Sequence, residues 1–113
     1  MISTRVKNAT TTAYAASLVA SSSPALCIGF SGFNASASPQ FIQVHNAPSL
    51  PADTAIPEIT FRVAASTEFS YHFGNSGREF SDGMVICNSS TGPTKTIGSA
   101  DCWFDVQIKP LIR

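Results

Sequence analysis

Apolar residues in this chain recur at every second position, and no window sustains the three-and-four spacing of a helix face. That period of two constrains the fold more than any other feature. Leu26, Ile28 and Phe30 alternate with Cys27, Gly29 and Ser31. Ile59, Phe61 and Val63 alternate with Thr60 and Arg62, and Phe69, Tyr71 and Phe73 with Ser70 and His72. Cys102, Phe104, Val106 and Ile108 alternate with Trp103, Asp105 and Gln107 until Pro110, which cannot donate to a ladder. Phe41 to His45 reads as a further strand, and Met84-Val85-Ile86-Cys87, apolar at every position, as a central one. Thr12 to Ala20 is a weaker run. Turn residues separate the runs: Pro48, Pro51 and Pro57 bracket one loop, Gly74-Asn75-Ser76-Gly77 suits positive φ, and Asn88 to Pro93 is polar.

These signals predict an all-β fold: a small antiparallel β-sandwich or barrel of six to eight short strands with an extended N-terminal arm. The arm is expected over 1–24 and the sandwich over 25–113. At 113 residues there is room for one core.

Charge restricts the partners. Seven Lys/Arg balance seven Asp/Glu, so no basic field is available to neutralise phosphates, and nucleic acid is not an expected partner. Charged residues make up 12%, about half the usual ~25%. From residue 8 to residue 52 there is no Lys, Arg, Asp or Glu at all. A long uncharged stretch of small residues suits a surface covered by other protein, because burying charge there is costly. The competing reading is a plain low-complexity tail. The stretch Ala13 to Ala20, broken by Tyr14 and Ser17, is too polar and short for a signal peptide, and no run reaches membrane-spanning length. An unprocessed chain made in the cytoplasm is expected.

Catalytic and metal chemistry find little support. Cys27, Cys87 and Cys102 are an odd set without C-x-x-C spacing, expected as buried free thiols; a Cys87–Cys102 bridge is the rival. His45 and His72 are expected on solvent faces of strands, without converging ligands. Serine is abundant enough to fall near a His and an Asp by chance, and no G-x-S-x-G elbow occurs. Glu79, Asp82, Asp101 and Asp105 read as caps and surface charges rather than paired catalytic acids. No glycine loop carries the lysine and helix of a phosphate cradle. Neither an enzyme nor a cofactor is expected. Local ion pairs are expected around Arg78, Glu79 and Asp82, and between Arg62 and Glu68.

The stretches Gly32-Phe33-Asn34, Phe41 to Asn46, Leu50-Pro51-Ala52-Asp53, Phe73-Gly74 with Gly77-Arg78, and Phe80-Ser81-Asp82-Gly83 form a pattern with Asn88-Ser89-Ser90-Thr91, Lys95-Thr96 and Ala100 to Phe104. Over residues 26–108 this pattern resembles small all-β virion structural proteins of tailed bacteriophages, of capsid cement or decoration type. The matching positions are mostly turns and core, and no functional residue transfers with them. The resemblance implies a protein of the capsid surface that stabilises contacts between capsomers. Its partners would be the major capsid protein and further copies of itself, with no membrane. Val6, Tyr14, Leu18, Val19, Phe33 and Trp103 are the candidate partner-binding residues. Removal of residues 1–20 is expected to leave a folded domain that no longer binds. The alternative is a tail-fibre or baseplate module that binds host glycan through Trp103 with Asp101 and Asp105, or binds another tail protein. A lone hydrolase is a weaker third reading.

Overall fold

The computed structural model describes residues 5–111. Among them lie nine strands and no helix. They are β1 (Lys7–Thr10), β2 (Ser17–Ser21), β3 (Ala25–Asn34), β4 (Gln40–Asn46), β5 (Ile59–Val63), β6 (Thr67–His72), β7 (Arg78–Phe80), β8 (Met84–Ser89) and β9 (Cys102–Pro110). The expected all-β sandwich is borne out, with one strand more than the upper end of the expected range. The four residues of β1 and three of β7 are too short to show alternation.

One sheet has the order β1-β9-β3-β6, with β7 pairing β3 beyond the end of β6; the other has the order β2-β8-β4-β5. All pairings are antiparallel. The logic is that of one long hairpin. With β4 and β5 at its tip, the rungs are β4·β5, β3·β6, β2·β8 and β1·β9. Rolling that ribbon closes two further contacts, β3·β9 and β4·β8, and makes two packed sheets. This is the jelly-roll arrangement. The connections after β1, β3, β5 and β8 gather at one end, tied by Ala15 N–H to Cys102 O (2.7 Å), Ala35 N–H to Asp101 O (2.9 Å) and Ser66 N–H to Ser36 O (3.2 Å). Those after β2, β4 and β7 gather at the other, where Ala47 N–H donates to Gly83 O (3.1 Å). Gly83 has a φ of 141°, and a Cβ there would sit 2.6 Å from both Ala47 O and Ser21 O, so three connections meet over a position that only glycine fits.

The core lies between the sheets: Ile42, Val44, Met84 and Ile86 from one, Cys27, Phe30, Phe104, Val106 and Ile108 from the other. Phe30, Phe61 and Tyr71 form a triangle of near-parallel rings, with centroids 6.1, 5.7 and 6.0 Å apart, that closes the β5/β6 side. The alternation read in β3 is interrupted. A register shift between Cys27 and Gly29 places both Cys27 and Phe30 inward, while Leu26 stays half-buried. This β-bulge inserts one residue and so exchanges faces along the strand.

The segment expected as an arm supplies β1 to the edge of one sheet and β2 to the edge of the other; its first four residues lie outside the described range. Ala9 and Leu18 pack against the core, and Ala20 belongs to it. The weak run Thr12 to Ala20 divides, residues 11–16 crossing between the sheets before β2 begins.

Candidate interaction surface

The crossing segment 11–16 arches over Trp103. Thr11 N–H donates to Phe104 O (3.0 Å) and Ala15 N–H to Cys102 O (2.7 Å), so both feet stand on β9 and residues 12–14 bow outward. Trp103 alternates with the inward Cys102 and Phe104 and therefore faces out. The result is a cleft of about 400 Å³ lined by Thr11, Thr12, Ala13, Tyr14 and Trp103. Tyr14 is 55% and Trp103 38% exposed. Phe33, half-buried, lies directly opposite Trp103 in the β3·β9 register. Three of the six candidate residues thus meet at one end of the sandwich. The Thr11 hydroxyl accepts from Phe104 N–H (3.0 Å), and Asp105 accepts from the Asn8 amide (2.9 Å).

The other three candidates lie elsewhere. Leu18 faces inward and is half-buried; Val19, next to it, faces outward from the second sheet and is 43% exposed. Val6 precedes β1 at the far end. An apolar position absent from the candidates is Ile56, 81% exposed on the loop 47–58. Its only sequence signal is an isolated isoleucine before Pro57, outside any alternating run.

The outer face of the β1-β9-β3-β6 sheet holds a shallow trough of about 220 Å³ floored by Gly29, Ser31 and Ser70 and flanked by His72, Asp105 and Gln107. His72 and Asp105 stand on strands either side of β3, aligned with Gly29 and Ser31 respectively, so their backbones lie two strand spacings, about 10 Å, and a further two residues apart, and no hydrogen bond or ion pair joins them. The His72 Nδ1 accepts from Gly74 N–H (3.0 Å). Asp101 and Asp105 belong to β9 and the connection before it, and Glu79 and Asp82 to β7 and the connection after it, so the four acids form no single pair of sites. Among the described residues no cluster of three or more His, Cys, Asp or Glu could hold a metal ion.

The second sheet differs from what its sequence suggests. Val85, Cys87, Gln43 and His45 all point away from the core, yet all are buried. The loops 47–58 and 90–101 fold over this face and zip together, Lys95 N–H donating to Ala55 O (2.8 Å) and Thr54 N–H to Lys95 O (2.7 Å). Gln43 holds the cover down: its Nε2 donates to the carbonyls of Thr91 (2.9 Å), Gly92 (2.9 Å) and Thr94 (3.2 Å). His45 Nε2 lies 3.3 Å from Gln43 Oε1. Lys95, only 2% exposed, reaches Asp53 at 2.6 Å, and the same carboxylate oxygen accepts from Ile97 N–H (3.1 Å). The expectation that His45 is solvent-facing is therefore corrected, because loops cover its face of the sheet; His72 is exposed as expected. The double burial of β8 read from its sequence is borne out.

The three thiols are free and buried. Cys102 faces the core, whereas Cys87 faces outward from the opposite sheet, so the rival bridge does not form. Burial pushes Cys27 and Cys87 up to about 12 and Cys102 to about 11, leaving them protonated and inert. Arg78 pairs with Glu58 at 3.8 Å and lies 5.5 Å from the Phe80 ring. Arg62 and Glu68 stand on different sheets.

Burial holds the His45 pKa below 6.5, with Lys95 acting in the same direction and Glu58 opposing. Hydrogen bonds from Lys95 and then from Ile97 N–H hold Asp53 below 3.8. Both folded values are depressed, so both groups contribute stability above their unfolded values and lose it as pH falls towards the folded ones. Urea midpoints are expected to be flat above pH about 7 and to fall below about 6.5 as His45 is forced to charge, with a second fall below about 4 from Asp53. In His45→Gln the first fall disappears; its persistence would assign that step to another group.

The fold and the cleft together define a jelly-roll domain with an exposed aromatic cleft at one end. No family model matches the chain, and no curated protein matches it in sequence. Among solved structures it is similar in fold to the coat protein of Tobacco streak virus, at a TM-score of 0.53 and 11% identity, over 96% of this chain and 88% of that one.

Proposed function

We propose that this chain is a structural protein of a virus particle and works by binding other protein subunits. The observation that carries the reading is the aromatic surface of Tyr14, Trp103 and Phe33 at one end of a jelly roll, on a chain with no charge from residue 8 to residue 52. An exposed Trp beside an exposed Tyr, with the nearby Thr11 and Asp105 already hydrogen-bonded, suits an apolar side chain from a protein partner. The fold likeness to a coat protein agrees with this.

The finer reading is a cement or decoration protein on the capsid of a tailed bacteriophage, bound to the major capsid protein from outside. Charge favours the outside. A shell protein that packages nucleic acid needs a basic surface, and here seven basic residues are offset by seven acidic ones. Quantitative mass spectrometry of purified particles tests it: a copy number in proportion to the capsomers is expected. A handful of copies would favour the tail or baseplate, and none would end the virion reading. In re-addition to particles lacking the protein, Trp103→Ala is expected to weaken binding by about 2 kcal/mol, roughly thirtyfold, while the far-end Val6→Ala changes it little. Equal occupancy by Trp103→Ala would remove the cleft from the interface.

A further inference from the structure

The two lateral margins of the sandwich differ in chemistry. One margin, β5 with β6 and β7, carries Arg62, Glu68, Arg78 and Glu79. The other, β1 with β2, carries Lys7 alone. Edge strands are normally guarded by charge, proline or a bulge, because unpaired N–H and C=O groups recruit another strand. β2 ends its sheet and holds neither charge nor proline. Its bulge, between Val19 and Ser21, guards only the far end.

The open part is Ser17-Leu18-Val19. Asn88 N–H donates to Ala16 O (2.8 Å), and Leu18 is aligned with Ile86. In an antiparallel ladder alternate residues turn their backbone groups to alternate sides. Ala16 and Leu18 therefore face β8, and Ser17 and Val19 direct N–H and C=O outward. From these placements we infer that β2 pairs with β2 of a second copy of this chain, antiparallel about a two-fold axis through Leu18.

The register follows from parity. Ser17 stands opposite Val19 of the second copy and exchanges both hydrogen bonds with it, and the symmetry repeats the pair. Centring on Val19 instead would place Ser17 opposite the bulged Ser21 and lose half of those bonds. In the Leu18 register the two Leu18 side chains meet at a narrow pair, about 4.5 Å between Cα atoms. Each packs against its own core and is left half-buried at the open seam of the sandwich, so pairing joins the two cores and adds to the burial. The occupant is a second copy rather than a repeating chain of copies. A head-to-tail contact would lay this uncharged margin on Arg62 and Glu68 and strip them of water without partners. An isologous contact sets uncharged strand on uncharged strand and closes.

This inference does not rest on the virion reading; it concerns the chain alone in solution. Sedimentation equilibrium is expected to return twice the 11.9 kDa chain mass. Val19→Pro removes an outward N–H without touching the ladder to β8, and is expected to return the single-chain mass with an unchanged β-type circular dichroism spectrum. A second variant is independent of that folding control. Ser17→Cys combined with Val19→Cys sets thiols about 5.5 Å apart at Cα across the pair, within disulfide range. The native cysteines are buried, so mild oxidation is expected to give a covalent dimer on a non-reducing gel. A monomeric wild-type chain, a dimer that survives Val19→Pro, or failure of the double-cysteine chain to cross-link would each overturn it.

Discussion

A chain lacking its first 21 residues is expected to give no cooperatively folded product. The low-complexity composition of that segment suggests a dispensable arm, but its strands complete both sheets. Its loss removes β1 and β2, each paired over four register positions, and turns the central strands β8 and β9 into edges. The ladder bonds contribute ~0.5–1.5 kcal/mol each. Leu18 adds roughly 1–3 kcal/mol of burial, with Ala9 and Ala20 beside it. The sum is of the order of the whole ~5–15 kcal/mol by which a domain is stable. The newly bare β8, apolar on both faces, would also aggregate. Heat denaturation of the truncated chain should show no cooperative transition, and most of it should be insoluble on expression. A sharp melt within a few degrees of the full chain would mean that residues 22–113 fold alone, and would restore the arm as a separable binding element.

This outcome separates what the sequence makes legible from what it hides. Strand positions follow from local alternation, and β4, β5, β6 and β9 lie where the period of two puts them, because each turns one apolar face of a pleat to the core. Pairing partners are not local. β1 meets β9 across nearly the whole chain, and nothing in Lys7-Asn8-Ala9-Thr10 announces it. The bulge in β3 is equally silent, since Leu26-Cys27-Ile28-Gly29-Phe30 alternates cleanly on paper while the extra residue moves Cys27 to the core. The candidate surface was half legible. Tyr14 and Trp103 stand out as large aromatics in polar surroundings, but their meeting depends on the crossing 11–16 standing on β9. Leu18 and Val19 were legible as an apolar pair and differ only in which side of the sheet each faces. The third layer over β4 and β8 was hidden, because loops built from Pro, Thr, Ser and Gly read as solvent-exposed connections whatever they cover.

That hidden layer makes Gln43→Leu the second large effect. Read as an outward residue of a two-faced strand, Gln43 would tolerate almost any substitution, and leucine at a buried site would be expected to help. The structure reverses the sign. The Gln43 amide is the shared donor to the carbonyls of Thr91, Gly92 and Thr94, and its oxygen faces His45. Leucine matches the volume and supplies no donor. Thr91 O keeps the Ser89 hydroxyl (2.7 Å) and Thr94 O keeps the Thr91 hydroxyl (2.6 Å), but Gly92 O loses its donor beneath the cover, at ~1–3 kcal/mol if water does not reach it, and the other two lose one bond each. The loop can lift to hydrate some of them, but lifting opens the Lys95–Asp53 pair and uncovers Cys87 and Val85. Either route costs roughly 2–4 kcal/mol, to be read as a lower urea midpoint at unchanged slope. The two routes are separable by thiol labelling in the folded state. If the loop lifts, Cys87 reacts in Gln43→Leu and not in the wild type; if the carbonyls stay buried, stability falls with Cys87 still protected. A variant as stable as the wild type would mean that backbone contacts such as Lys95 N–H to Ala55 O hold the cover without Gln43.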